Sequence, residues 1–248
     1  MKVLLLGATG NLGIRLVPAL LSHNHNVVAY VRSSSKLQSL LPPDVFSQIT
    51  IVEGDAKSQE TVEKAILDHR CTAIINTAGL AAVVPWGHSD LPIILQAAAK
   101  AAKVAGEKSG KPLRGWFLGG VGALDLPGTP MKLFPEHRVN FDFLQTIPTN
   151  SLQWSMLCPG QMNPKSTDFS VPTKTTPGNV VGGASTPPGW KDGWVKHIPF
   201  FGSFLWVASH IMTYKTILED NAEFIAADLE KEDSEWIGKK VGTIEVPR

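Results

Sequence analysis

Short apolar runs alternate with longer segments of helical periodicity over the first two thirds of the chain. The apolar runs predict buried strands at Val3–Leu6, Asn26–Val31, Ile49–Glu53, Ala73–Ile75, Trp116–Leu118 and Leu152–Leu157. Apolar residues spaced three and four positions apart predict helices at 12–21, 59–69, 92–106 and 135–147, with Ser58 capping the second. Because strands that alternate with helices form right-handed βαβ units, we expect an α/β fold with a doubly wound parallel sheet and helices on both faces.

The regular alternation ends near residue 160. Proline, glycine, serine and threonine dominate from there to about Trp194, which indicates a long loop. A further amphipathic helix is predicted at Ile217–Leu229 and a final strand at Lys240–Val246. The most apolar stretch, Ile198–Met212, is shorter than the roughly 18 residues that cross a bilayer. The run Val3–Leu6 is shorter than the roughly 7–15 residues of a signal-peptide core, so we expect a cytoplasmic protein with no integral membrane segment.

Composition and charge exclude several classes of protein. The 248 residues are 43% apolar and 18% charged, as in an ordinary globular domain. Lys and Arg number 23 against 22 Asp and Glu, a net charge of +1, so no nucleic-acid partner is expected. Two cysteines, Cys71 and Cys158, are too few for a disulfide framework or a four-thiolate zinc site, and no paired-histidine spacing predicts a metal.

The clearest motif is a glycine-rich turn between the first strand and the first helix. Gly7 allows a tight turn, Gly10 lets the backbone approach a pyrophosphate, and Gly13 lets helix and strand pack closely. The free N–H groups of the helix start then face the anion. The turn predicts a dinucleotide contact, with a simple strand-to-helix turn as the alternative. The residues assigned to this contact are Gly7, Thr9, Gly10, Asn11, Leu12 and Gly13.

The end of the second strand favours NADP(H) over NAD(H). An acidic residue about 20 positions beyond the glycine turn would bind a ribose 2′-hydroxyl. Arg32 stands there instead, followed by Ser33–Ser35 and Lys36. Its guanidinium can bind a 2′-phosphate, and the serines and Lys36 can add donors. Alternatively, Arg32 is only a solvated charge at the end of a strand.

Small and polar residues follow the next two strands at the same edge, where ligands bind in sheets of this kind. Asp55 is either an adenine contact or a cap of the following helix. The segment 76–79 brings backbone groups to the edge, or is only a turn of small residues. The cofactor contacts assigned here are Asp55, Ala56, Asn76, Thr77, Ala78 and Gly79.

These motifs resemble the atypical short-chain dehydrogenase/reductase superfamily, in its NmrA-like, NAD(P)H-binding branch. The matching pieces are Gly7-x-x-Gly10-x-x-Gly13, Val31-Arg32, Gly54-Asp55, Asn76-x-Ala78-Gly79, Gly119–Gly122 and Leu152–Gly160, with a weaker match at Tyr214–Leu229. The resemblance implies a Rossmann-like fold, a bound NADP(H) and cofactor contacts at Gly119 and Gly120. It further implies an NADP(H)-binding core over 1–160 and a substrate-binding or lid region over 161–248 that completes the same domain.

One departure from the superfamily concerns catalysis. Its reductases use a Tyr-x-x-x-Lys pair in the helix before the sixth strand, and those positions fall near Phe134 and Arg138. The two tyrosines of the chain, Tyr30 and Tyr214, lie elsewhere. Phenylalanine has no proton to give, and arginine can bind the ribose but is a poor proton relay.

A histidine offers an alternative proton donor. The flavin/biliverdin reductases of this branch also lack the pair and carry a histidine early in this helix, where this chain has His137. Histidine can donate a proton near neutral pH, although one at a helix start is also a common surface or capping residue. His88 is a second candidate, while Cys158 is expected to be a buried, inert thiol.

The aromatic residues beyond position 189 have three interpretations. They line an apolar substrate pocket or lid, cover the sheet edge, or touch a membrane surface, and the first two are favoured. This set comprises Trp190, Trp194, Phe200, Phe201, Phe204 and Trp206.

Together the motifs favour an NADP(H)-dependent oxidoreductase that exchanges a hydride with a small apolar carbonyl, enone or flavin-like substrate. The catalytic candidates are His137 and Arg138. Loss of the Tyr-Lys pair also suits a non-catalytic NADP(H) sensor of NmrA-like type, and a non-redox isomerase or cyclase can use the same fold. A homodimer or a protein partner is left open.

Overall fold

The computed structural model describes residues 1–79, 89–126, 134–173, 175, 178–190 and 193–246, without the side chains of Phe204 and Met212. The strands are β1 (Lys2–Leu6), β2 (Asn26–Val31), β3 (Thr50–Glu53), β4 (Ala73–Asn76), β5 (Leu113–Leu118), β6 (Leu152–Leu157), β7 (Gln161–Asn163), β8 (Val180–Ala184), β9 (Lys215–Ile217) and β10 (Lys239–Glu245). The helices are α1 (Asn11–Ser22), α2 (Ser34–Leu40), α3 (Pro43–Phe46), α4 (Gln59–Asp68), α5 (Leu91–Ser109), α6 (Pro135–Gln145), α7 (Gly202–Thr213) and α8 (Leu218–Asp228). The catalytic candidate His88 lies outside the described residues.

Eight strands form one sheet in the order β3-β2-β1-β4-β5-β6-β10-β8, and β7 pairs with β9 separately. Seven of the eight run parallel, as the sequence predicts, and helices cover both faces. The strand order reverses between β1 and β4, where the loops leaving the two strands diverge. In a doubly wound sheet this point opens a crevice at the carboxyl edge, so the Rossmann-like fold positions a ligand site there.

The core explains the continuous apolar run of the first strand. Every residue of Val3–Leu6 is fully buried, because alternate side chains enter two different hydrophobic layers. One layer lies under α1 and α8, and the other under α4, α5 and α6. Pro18 lies inside α1, and the helix continues past it to Ser22.

The prediction of an all-parallel sheet and of a long loop over 160–194 is wrong at the edge strand β8. It runs antiparallel to β10 and contains Gly182 and Gly183, which lower strand propensity and conceal it in the sequence. The ring of Trp236 packs on Gly182 and that of Pro188 packs on Gly183, so these glycines make room for tertiary contacts.

Two short helices in the polar stretch after β2 were not predicted. Ser33 begins α2, and its Oγ accepts a hydrogen bond from the Lys36 N–H at 3.3 Å. Leu37 is the buried residue of α2 and Val45 that of α3, so neither helix shows an apolar repeat. Ser58, by contrast, caps α4 as predicted.

A buried ion pair ties α8 to the sheet. Arg114 on β5 donates from Nη2 to Asp228 Oδ2 at 2.7 Å, and both side chains are almost fully buried. Trp116 Nε1 donates to the same oxygen at 2.9 Å, and Ser234 Oγ donates to Oδ1 at 2.5 Å. The Asp228 carboxylate is therefore well satisfied, as a buried charge must be.

A second ion pair connects α8 with α1. Arg15 Nε donates to Glu219 Oε1 at 2.7 Å, while Nη1 and Nη2 donate to the carbonyls of Asn11 and Ser166 at 2.8 and 2.7 Å. The helix that follows the glycine turn is thus fixed to the carboxyl-terminal part of the chain. The buried guanidinium of Arg15 donates to three separate partners, which suits the planar fork of arginine.

The apolar stretch 198–212 contains most of α7. Across the described ranges, none of the helices combines the length and the apolar character that crossing a bilayer requires.

Candidate cofactor and active site

A cavity of about 470 Å³ opens at the carboxyl edge between the loops that follow β1, β2, β3 and β4. The assigned cofactor contacts that line it are Gly7, Thr9, Gly10, Arg32, Asp55, Ala56, Thr77, Ala78 and Gly79. The assigned contacts that do not line it are Asn11, Leu12, Gly13, Asn76, Gly119 and Gly120. The lining residues that carried no assignment include Tyr30, Val31, Lys57, Asp90 and Ile94.

The glycine turn forms one wall of the cavity, and two of its glycines are required by space. Gly7 has φ +87°, and a Cβ there would lie 2.6 Å from the Ala78 nitrogen. A Cβ on Gly13 would overlap the Gly7 carbonyl oxygen, which explains why Gly13 allows packing without lining the cavity. Gly10 begins α1, and its N–H donates to the Gly7 carbonyl at 2.8 Å. This cradle fits the pyrophosphate of a dinucleotide.

The floor of the cavity joins the loops after β1 and β4. Thr77 Oγ1 donates to the Leu6 carbonyl at 3.0 Å, and Asn76 Oδ1 accepts from the Ala78 N–H at 3.1 Å. Asn76 is almost fully buried. Its side chain therefore shapes the turn that the neighbouring residues present to the cavity.

Two cations stand at the outer rim, and a carboxylate stands near them. Arg32 and Lys36 line the cavity and are exposed. Glu53, at the end of β3, accepts from the Ser34 N–H at 2.6 Å. Hydrogen bonds from Ser34 lower the pKa of Glu53, so this carboxylate is ionised at neutral pH. The sequence reasoning missed Glu53, because only the pairing of β2 with β3 brings it beside the serines.

The opposite rim is closed by an ion pair. Lys57 Nζ lies 2.6 Å from Asp90 Oδ2, which joins the loop after β3 to the residue before α5. Asp55 Oδ1 accepts from the Lys57 N–H at 3.0 Å. Since Ser58 is the cap of α4, Asp55 shapes the preceding turn and does not cap that helix.

His137 lies beside the turn after β5, not in this cavity. Its side chain is 7% exposed, and a Cβ on Gly120 would lie 2.6 Å from its Nε2, so Gly120 makes room for the ring. Nδ1 is buried without a hydrogen-bond partner. Burial lowers the pKa of His137, and the nearby charge of Glu136 opposes that effect. The imidazole is therefore mainly neutral at neutral pH.

Arg138 has different surroundings from His137. Its guanidinium lies 3.3 Å from Asp125 Oδ1 and 3.4 Å from Asp142 Oδ1, and all three side chains are about half exposed. Lys240 Nζ reaches the same Asp125 oxygen at 2.6 Å. Phe134, at the position of the superfamily's tyrosine, begins α6 with φ +50°. Neither Phe134 nor Arg138 lines the described cavity.

Two further buried polar groups on this side lack partners. Both amide atoms of Asn140 and the hydroxyl of Tyr214 are buried without a hydrogen bond. Burial raises the pKa of Tyr214 and raises that of the Cys158 thiol to about 12. Cys158 is therefore protonated at neutral pH, and its chemistry agrees with an inert thiol. No sequence motif marks Asn140, while Tyr214 opens the weaker stretch of family resemblance at Tyr214–Leu229.

The aromatic set beyond residue 189 divides in two. Trp190 packs on Trp206, with ring centroids 5.5 Å apart, and on Tyr214 at 5.8 Å. Trp194 and Phe200 are exposed. Among the described residues, no group of three or more histidine, cysteine or acidic side chains could hold a metal ion.

Solved structures share this fold over nearly the whole chain. ChuY, an anaerobillin reductase from Escherichia coli, gives a TM-score of 0.63 at 17% identity over 100% of both chains. A short-chain dehydrogenase/reductase from Veillonella parvula in complex with NADP gives 0.62 at 14% identity over 98% of this chain and 94% of that one. The oxidoreductase ylbE from Lactococcus lactis gives 0.63 at 17% identity over 99% and 91%. At these identities the likeness shows the fold.

Two relatives match a shorter part of the chain. The epimerase family protein SDR39U1 homolog of Arabidopsis thaliana is 35% identical over 86 residues, which are 35% of this chain and 23% of that protein. UDP-glucose 4-epimerase of Klebsiella pneumoniae is 32% identical over 88 residues, which are 34% of this chain and 62% of that protein. The chain thus spans less than two thirds of either relative.

A family model described as NAD(P)H-binding matches residues 7–187, which hold the glycine cradle and both rims of the cavity. The match agrees with the reductase and dehydrogenase folds above. The chain therefore belongs to this NAD(P)H-binding family.

Proposed function

We propose that the protein is an NADP(H)-dependent oxidoreductase that exchanges a hydride with an apolar carbonyl, enone or flavin-like substrate. The observation that carries the proposal is the cavity whose glycine cradle faces a rim with two cations, Arg32 and Lys36. A cradle alone suits either dinucleotide, and the cations add a place for the 2′-phosphate of NADP(H).

The residues of the chain divide the work of holding the cofactor. The N–H groups at the start of α1 would hold the pyrophosphate, and Arg32 with Lys36 would hold the 2′-phosphate. Thr77 and Gly79 would border the next part of the cofactor along the edge. When bound, the nicotinamide supplies the hydride chemistry, while the protein supplies orientation and a dry environment.

His137 would hold or move the proton that accompanies hydride transfer. Its lowered pKa keeps most of the ring neutral at neutral pH, so it can donate a hydrogen bond to a carbonyl or accept a proton from an alcohol. When the substrate is reduced, only the protonated fraction of His137 can act as the acid. Arg138 would serve the cofactor or substrate only after leaving the carboxylates of Asp125 and Asp142.

The carboxyl-terminal region 161–248 would shape the substrate side. The ring of Trp190 packs edge to face against the rings of Trp206 and Tyr214, which suits an apolar substrate more than a charged one. A cytoplasmic location stays a prediction from the sequence.

The test is loss of NADPH absorbance with a panel of apolar carbonyls, quinones and flavins, for the wild type, His137→Gln and the control His69→Ala. We expect His137→Gln to lower the rate by about 10²-fold and His69→Ala, at the end of α4, to leave it unchanged. The rate of reduction should fall as pH rises through the pKa of His137, which lies below its ordinary value of 6.5, and this inflection should vanish in His137→Gln. Cofactor binding by calorimetry checks that the variant folds. Binding without turnover over the whole panel would contradict the proposal and favour a sensor.

A redox-neutral isomerase is the second candidate, because both relatives with more than 30% identity are named epimerases. Such an enzyme would convert its substrate without net consumption of NADPH. Product analysis by mass spectrometry and chromatography, with absorbance recorded in parallel, separates the two candidates.

A further inference from the structure

The inner face of α6 carries two polar residues among its core positions. The buried residues of this helix are His137, Asn140, Phe141 and Leu144, whose spacing of three and four places them on one face. Phe141 and Leu144 belong to the hydrophobic core. His137 and Asn140 occupy the amino-terminal part of the face, where His137 lies beside Gly120 in the turn after β5. The polar part of the face is therefore the part nearest the carboxyl edge of the sheet.

The two apolar residues fix the helix in its rotation about its own axis. The ring of Phe141 packs edge to face against that of Trp154, with centroids 6.2 Å apart. Leu144 is fully buried one turn further along the helix. Because α6 is held at both positions, His137 and Asn140 cannot turn outward to find water as hydrogen-bond partner.

Three polar atoms of this pair are buried without a hydrogen bond. They are Nδ1 of His137 and both Oδ1 and Nδ2 of Asn140, and the Asn140 side chain is 0% exposed. Such groups are rare, because a buried amide loses its bonds to water and must replace them. Asn221, which is equally buried, shows the usual solution, since its amide donates to Thr216 and accepts from Thr243.

The two unpartnered groups lie within reach of each other. Side chains of a helix lean toward its amino terminus and cover the preceding turn, so the amide of Asn140 covers the turn that holds His137. Residues three positions apart have Cβ atoms about 5–6 Å apart. Rotation about side-chain bonds alone can therefore bring the polar atoms to the roughly 2.9 Å of a hydrogen bond.

The needs of the two groups are complementary. When Nδ1 of a histidine carries a proton it needs an acceptor, and the oxygen of an amide is an acceptor at every pH. The bond made by one ring nitrogen also determines which nitrogen carries the proton. In His137 the other nitrogen, Nε2, lies against Gly120. Gly120 and the ring of Phe134, 6.0 Å away, face the imidazole without a charge, while the charge of Glu136 acts on it from α6.

We propose that Asn140 is a positioning residue whose Oδ1 accepts a hydrogen bond from Nδ1–H of His137, which leaves Nε2 to exchange a proton with the substrate. The inference rests on the function proposed above for His137, and it adds which nitrogen acts and which residue selects it. When a carbonyl is reduced, the hydride adds to its carbon and the proton leaves Nε2 for its oxygen. The ring keeps its proton on Nδ1, so the bond to Asn140 persists, and solvent returns a proton to Nε2.

Nuclear magnetic resonance tests the pairing without any turnover. The whole protein is labelled with ¹⁵N-histidine, long-range ¹H–¹⁵N correlations identify the protonated nitrogen, and the spectrum of His137→Gln assigns the signals. Above the pKa of His137 we expect Nδ1–H in the wild type and Nε2–H in Asn140→Leu, where the selecting acceptor is gone. Leucine removes the unpartnered amide at similar volume, so the urea midpoint should stay or rise. Gln145→Leu removes an exposed amide from the same helix and should keep Nδ1–H.

Kinetics test what the pairing does for the reaction. Asn140→Leu should lower kcat by about tenfold, less than the loss in His137→Gln, and leave the KM for NADPH unchanged. Asn140→Asp should move the inflection of the rate about one pH unit upward, because a carboxylate beside Nδ1 favours the protonated ring. Gln145→Leu should leave both kcat and the inflection as in the wild type.

The outcomes separate this inference from the proposed function. Nε2–H in the wild type, or Nδ1–H retained in Asn140→Leu, would overturn the pairing. A lower urea midpoint and a lower kcat in Asn140→Leu with an unchanged tautomer would reduce Asn140 to a structural residue and overturn it as well. A change of tautomer in Asn140→Leu, with no turnover of any substrate by the wild type, would support the pairing and contradict only the oxidoreductase.

Discussion

The carboxyl edge of the sheet has two halves that are built differently. Beyond β1–β4, the cavity is bordered by backbone groups and glycines, and the side chains of Asp55 and Thr77 in its lining have hydrogen-bond partners. Beyond β5 and β6, buried polar groups of His137, Asn140 and Tyr214 have none. The first half therefore presents mainly backbone geometry, whereas the second half keeps buried polar side chains whose partners the described residues do not supply.

Breaking the buried ion pair on β5 should have the largest effect on the molecule. Asp228→Ala leaves Arg114 buried without its carboxylate and should lower the free energy of unfolding by about 3–5 kcal/mol. Asp68→Ala, which removes an exposed pair with Lys64, should cost less than about 1 kcal/mol. Urea denaturation measures both. Equal losses in the two variants would show that Asp228 does not anchor α8.

A methyl group added to the glycine turn should have the second-largest effect, which is a loss of NADPH binding. Gly13→Ala would place a Cβ against the Gly7 carbonyl, which should cost about 1–3 kcal/mol of stability and weaken NADPH binding by on the order of 10²-fold. Gly110→Ala is the control, since Gly110 ends α5 with φ +74° and open space around it. Calorimetry should find its NADPH binding unchanged, and a comparable loss there would refute the steric explanation.

The rim of the same half should determine the choice between cofactors. Arg32→Ala should weaken NADPH binding by about 10–100-fold and leave NADH binding nearly unchanged, because a charge-assisted phosphate contact contributes about 1.5–3 kcal/mol. Lys64→Ala, an exposed cation on α4, serves as control. If Arg32→Ala weakens the binding of NADPH and of NADH equally, Arg32 does not bind the 2′-phosphate.

Removing the charge of Glu53 should have the smallest effect, and it should strengthen NADPH binding where the changes above weaken it. Glu53→Gln removes a carboxylate beside the Ser34 N–H and should raise NADPH affinity by about two- to fivefold at low salt. Asp44→Asn, an exposed acid in α3, should have no effect. An unchanged or weaker affinity in Glu53→Gln would place the 2′-phosphate away from this rim.

The sequence predicts the central fold well, because the two sheet faces are covered by helices and so leave unbroken apolar runs such as Val3–Leu6. It also predicts Ser58 as a cap, since that signal is local. It misses β8, whose glycines carry no strand signal and which depends on packing from Trp236 and Pro188. Long-range pairing of this kind has no local signature.

The same division applies to the site. Gly7, Gly10 and Arg32 follow fixed spacings from the first strand, so their place at the cavity could be predicted. Glu53 and the Lys57–Asp90 pair reach the rims only because neighbouring strands end at the same level. The missing hydrogen bonds of Asn140 and Tyr214 could not be predicted, because burial and hydrogen bonding are properties of the folded chain.

The ion pair between Arg15 and Glu219 joins residues 204 positions apart, so it forms only after α8 has been synthesised. At the usual pace of a ribosome, roughly 10–40 s separate the emergence of α1 from that of α8. Throughout that interval the apolar face of α1, with Leu16 and Leu20, lacks the cover that α8 later provides. The nascent amino-terminal half is therefore a natural client for chaperones, and its helix beside the glycine turn matures only after translation has nearly finished.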